Sequence, residues 1–89
     1  MGRKFANAGS AFVQADNGAN ITVDDASRYP ALADGDYVRA VLTAFDPQSY
    51  QNEIEVVEVT AISGTDFSVT RGLEGTTQKT WPAGTLIEI

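Results

Sequence analysis

Between Glu53 and Arg71 the chain alternates side chains in steps of two, with a single break at Ser63-Gly64-Thr65-Asp66. Successive residues of an extended chain point to opposite faces, so this alternation specifies strands, and the polar tetrad around Gly64 specifies a tight hairpin between them. On the first strand Ile54, Val56, Thr60 and Ile62 share one face with Glu58, while Glu53, Glu55, Val57, Val59 and Ala61 share the other. The apolar side changes near Val56-Val57, the pattern of a β-bulge or of a strand passing between sheets. On the second strand Phe67, Val69 and Arg71 face one way. Glu53 and Glu55 fall on one face roughly 7 Å apart, within reach of a glycosidase-like carboxylate pair. A solvated strand face explains them better, because so short a chain lacks a deep sugar cleft.

Gly72 and Gly75 then break the strand and mark backbone angles that a side chain would oppose. A polar loop, Glu74 to Thr80, leads to a turn at Trp81-Pro82-Ala83-Gly84, and Thr85 to Ile89 returns as a final strand. The loop reads as a strand connection. A phosphate-binding loop would need a lysine followed by a hydroxyl residue and a helix, and the stretch has neither. Arg71 is expected to pair with Glu74 across the loop and pin Gly72 and Gly75, the alternative being that the two charges serve an interface. Trp81, the single tryptophan, is expected to plug one end of a small β core.

Upstream, Met1 to Gly9 is short, basic and poor in apolar residues, and reads as a flexible arm: either a disordered tail, or a docking arm with Arg3, Lys4 and Phe5 as candidate contacts to a partner. Ser10–Ala15, with Phe12 inward, and Asn20–Asp24, with Ile21 and Val23 inward, form a hairpin across Asp16-Asn17-Gly18. Asp24-Asp25 suits the cap of one helical turn before Pro30 better than a calcium loop, whose acidic ladder and closing glutamate are missing. Tyr29 and Leu32 cover the edge of the core. Tyr37 to Phe45 is a strand with Val38, Ala40, Leu42 and Ala44 on one side. Its other side, Tyr37, Arg39, Val41 and Thr43, is not simply polar, so both faces are expected to be partly covered. A polar loop, Asp46 to Asn52, carries Tyr50 as an exposed aromatic suited to an interface. The expected fold is all-β: one domain (10–89) of about six short strands behind an arm (1–9), built as a small β-sandwich or a partly open barrel.

The chain of 89 residues has no cysteine and no histidine. Disulfides, thiolate zinc sites, the commonest general base and the commonest metal ligand are thereby excluded. No catalytic residue, metal or cofactor is expected. A net charge of −6 argues against a nucleic-acid partner. No apolar run approaches the roughly 20 residues of a membrane span, and Arg3-Lys4 lacks the apolar stretch of a signal peptide behind it. A core this small favours self-association.

The stretch "VTRGLEGTT" (Val69–Thr77) followed by "WPAG" (Trp81–Gly84) resembles a module of tailed-bacteriophage virion proteins, in which a strand runs into an RG-x-EGT loop and then an A/W-x-AG turn. Arg3-Lys4-Phe5-Ala6-Asn7 is similar to the opening of that module at the N-terminus of phage tail fibres, and Asp34–Leu42 and Ile54–Gly72 are similar to its middle. Such modules are usually followed by a long fibre, whereas this chain stops at Ile89, as a free-standing or shortened version would. The resemblance implies a virion structural protein, assembled in the host cytoplasm with other virion proteins and forming a trimer or ring. It implies first an adaptor or base module that attaches a tail fibre or tail component. A head decoration or head-fibre base protein is the alternative, and a host-surface carbohydrate-binding module, using Tyr37, Tyr50 and Trp81 as platforms, is a third reading.

Overall fold

The computed structural model describes residues 4–5, 9–46 and 51–89, and its elements are all strands. They are β1 (Lys4–Phe5), β2 (Ser10–Asp16), β3 (Asn20–Val23), β4 (Tyr37–Asp46), β5 (Gln51–Ser63), β6 (Asp66–Leu73) and β7 (Leu86–Glu88). Six of them pair antiparallel in the ring β4-β5-β6-β3-β2-β7, and β7 pairs back onto β4. Of the two architectures the sequence allows, the chain therefore adopts the barrel, and the barrel is closed. Closure removes the free edges that an open sheet of this size would expose. The backbone of β1 adds a parallel rung, Lys4 opposite Tyr37 and Phe5 opposite Val38. Arg3 and Tyr50 lie outside the described residues, as do the side chains of Lys4 and Phe5, so the contact roles expected of these four rest on the sequence.

The interior is filled by the alternate residues of each strand: Ala11 and Val13, Ile21 and Val23, Val38, Ala40 and Leu42, Val57 and Val59, Phe67 and Val69, and Ile87. Phe12 is a correction to the sequence reading. It stands outward and 50% exposed, because Ala11 and Val13 are the inward pair on β2. β5 carries a second correction. Its inward set runs Glu55, Val57, Val59, and the change of side comes after Val59, where the register with β6 slips between Val59 and Ala61 and Ile62 turns toward the core. The pairing with β6 is also irregular between Val56 and Glu58, where the bulge was expected, but the apolar side does not change there; it changes three residues later, at the bulge near Thr60.

Residues 24–36 cross from β3 to β4. Tyr29, buried on this crossing, donates its hydroxyl to the Ile87 carbonyl at 2.8 Å and packs its ring 4.6 Å from that of Phe67. Burial pushes its phenol well above the ordinary value. Leu32 is half-buried against the same core. Ser27-Arg28 form a turn where a helical turn was expected: the Ser27 amide donates to Asp25 Oδ1, and the Tyr29 amide to the Ala26 carbonyl. Asp24 Oδ1 accepts from the Phe12 amide, so each of the paired aspartates fastens local backbone.

Candidate functional site

The densest polar chemistry among the described residues lies where the end of β2 meets β5, β6 and the 74–85 loop. Arg71 is carried inward on β6 in line with Phe67 and Val69, and only 6% of its side chain is exposed. A guanidinium buried there must satisfy five N–H groups. Nε donates to Glu55 Oε2 at 2.8 Å and Nη2 to Glu55 Oε1 at 2.8 Å, a two-pronged contact. Nη1 donates to Asp16 Oδ1 and to the Gly18 carbonyl, both at 2.8 Å. Nη2 also reaches the Lys79 carbonyl at 2.6 Å and Asp16 Oδ2 at 3.1 Å. Every donor is used.

The two carboxylates are equally engaged. Asp16 also accepts the amides of Gly18 and Trp81, each at 2.9 Å. Glu55 also accepts the amides of Gly72 (2.9 Å) and Lys79 (3.1 Å) and the Trp81 indole N–H (2.9 Å). Burial alone would raise both carboxyls. The guanidinium and these N–H donors outweigh it and hold each below its ordinary value, and the same carboxylates raise Arg71 further. The backbone between β6 and β7 is thereby tied at Gly72, Lys79 and Trp81. Lys79 completes the tie from outside: its ammonium pairs with Glu53 and lies 4.7 Å over the Trp81 ring.

Gly72 and Gly75 have φ of 62° and 81°, and Glu74 between them has φ of 54°. These left-handed residues reverse the chain so that Thr76 can bond the middle of β5: the Val56 amide donates to Thr76 Oγ1 at 2.9 Å. A Cβ on Gly72 would stand 3.4 Å from the Thr76 carbonyl and the Gln78 amide.

Three expectations for the site are corrected here. Arg71 pairs with Glu55 and Asp16, while Glu74 reaches out to Arg39 at 2.7 Å, because β6 aims Arg71 into the barrel and the left-handed turn aims Glu74 away from it. Glu53 and Glu55 do not form a solvated acid face, since Glu55 is fully buried while Glu53 is exposed and paired with Lys79. Trp81 is 2% exposed and fills the barrel interior, which removes it as a carbohydrate platform. Asp16 and Glu55 are the cluster members that sequence reasoning missed. The signal for Glu55 was present: an acid in an inward row with Val57 and Val59 requires a buried partner. Asp16 read only as a turn residue.

This arrangement fastens a loop; as chemistry, it offers carboxylate oxygens already occupied by donors. Among the described residues no group of three or more acidic side chains is placed to hold a metal ion. A scan of protein-family models and a search of curated proteins each return no match to the chain.

Proposed function

We propose that this chain is a structural protein of a tailed-phage particle, an adaptor or base module that fixes a tail fibre or another tail component through protein–protein contacts. The observation that carries this reading is where the residues of the RG-x-EGT and WPAG stretches fall: Arg71, Gly72 and Trp81 all build the tie between loop and barrel. A motif spent on the fold marks a scaffold, and a scaffold of this kind works through its outer surface. We assign it no catalytic role. The arm with Arg3, Lys4 and Phe5 is the natural contact between copies in a trimer or ring, since it is basic on an acidic chain.

The test is the position and copy number of the chain in purified particles, by quantitative mass spectrometry and electron cryo-microscopy. The proposal expects a barrel-sized density at the tail, at the root of a fibre. Density on the capsid would replace it with the decoration reading. Absence of the chain from intact particles would overturn both.

A further inference from the structure

The outward side of β4, which the sequence marks as not simply polar, has apolar neighbours on the flanking strands. Val41 lies directly opposite Val56 of β5, and Thr43 lies opposite both Ile54 of β5 and Leu86 of β7. Leu86 in turn lies opposite Phe12 of β2. Directly opposed residues share a face, so these six side chains form one band over four neighbouring strands on the outside of the barrel. Ile54 is 52% and Phe12 50% exposed, and the other four are half-buried. The band is about 14 Å wide at the spacing of neighbouring strands and curves with the wall.

Its borders are acidic on balance. Glu88 stands beside Val41 on β7, at the far end Arg39 is shared by Glu58 and Glu74, and near Phe12 Arg28 is outnumbered by Asp24 and Asp25. Beyond Lys4 the chain has four cations, Arg28, Arg39, Arg71 and Lys79, against twelve acids, a net of −8. Three of the four are already held in ion pairs within the chain. We propose that this band is a docking surface for a protein segment that presents apolar side chains flanked by lysine or arginine.

Charge selects that occupant over a second copy of this chain, whose own band would set Glu88, Glu58 and Glu74 against their counterparts. Size points the same way. A band on the order of 300 Å² falls short of the roughly 800 Å² per partner that a stable dimer buries. It suffices to anchor a segment, with Ile54 and Phe12 as the gripping side chains. The inference does not depend on the virion reading, because it names a surface and a partner chemistry rather than a particle.

The experiment is an NMR titration of the isotope-labelled full chain with three short capped peptides: alternating Leu/Lys, alternating Ser/Lys and alternating Leu/Glu. The Leu/Lys peptide should shift the amides around Val41, Thr43, Ile54 and Leu86 and bind at least about tenfold more tightly than the other two. V41T/I54S should weaken it about tenfold or more while keeping a dispersed spectrum. E88K, which leaves the apolar band and the fold intact, should weaken it about threefold or more and keeps the test decisive if the double variant unfolds. Equal binding of Ser/Lys, shifts confined to another face, or affinities unchanged in E88K would overturn the proposal. A concentration-dependent dimer abolished by V41T/I54S would assign the band to a second copy and overturn it equally.

Discussion

Arg71 and Arg39 each hold two carboxylates, and their surroundings make them different objects. Arg71 has 6% of its side chain exposed, between Asp16 at 2% and Glu55 at 0%. Arg39 has 31% exposed, with Glu58 at 25% and Glu74 at 56%. All five N–H groups of Arg71 find acceptors, whereas Arg39 Nε has none among the described residues. If Arg39 is removed, its carboxylates turn to water. Asp16 and Glu55 have no such recourse, so the buried guanidinium is a condition of folding rather than a small increment to it.

Arg71→Met breaks the comparison at its strongest point. It strands two buried carboxylates and frees the loop, and should cost about 3–5 kcal/mol by urea denaturation, enough to unfold much of so small a domain. Loss of less than about 1 kcal/mol would mean that the carboxylates reach solvent without it.

Acid titration probes the same contrast. Asp16 and Glu55 have folded values below their unfolded ones, so the unfolded chain takes up protons first as pH falls. Their contribution is fully present above the ordinary carboxylate range and is lost as pH drops through and below it. With the guanidinium gone, burial governs both groups, and the acid limb of Arg71→Met should move to higher pH. An unmoved limb would show that Arg71 does not set these protonation states.

Gly72→Val sharpens the picture from the backbone side. At φ 62°, with the Thr76 carbonyl 3.4 Å from the new Cβ, it should lower stability by roughly 1–3 kcal/mol in a thermal or urea melt. Gly75→Val meets no neighbouring atom within 4 Å and should cost less. The smallest effect belongs to Arg39→Met, whose unfolding midpoint should match the parent's within error.

These asymmetries bear on what was legible in the sequence. The strands could be read because each has an apolar row with period two, and Gly72 and Gly75 could be read because they interrupt one. The bulge near Thr60 could not be placed, since Val56-Val57 and Val59-Thr60-Ala61 change sides equally well on paper; the pairing with β6 is irregular at both, and only burial puts the change of side at the second. That slip also concealed the approach of Glu55 to Arg71, because register counted back from the Gly64 turn sets Glu58 opposite Arg71. Barrel closure was hidden for a related reason: β7 is three residues long and pairs with β2 and β4, both far away in sequence. Phe12 was misplaced because size alone suggests an inward ring, while the turn to Asp24 and the pairing with β7 leave that position outside.

Native-state hydrogen exchange of the Trp81 indole N–H and the Gly72 and Lys79 amides tests the mooring of the 74–85 loop most directly. All three donate to Glu55, so they should open only when the barrel opens. The account predicts that their exchange free energies equal that of the slowest core amides, such as those of Val57 and Val59. Exchange of all three well ahead of that core, by fraying of the loop on an intact barrel, would contradict it.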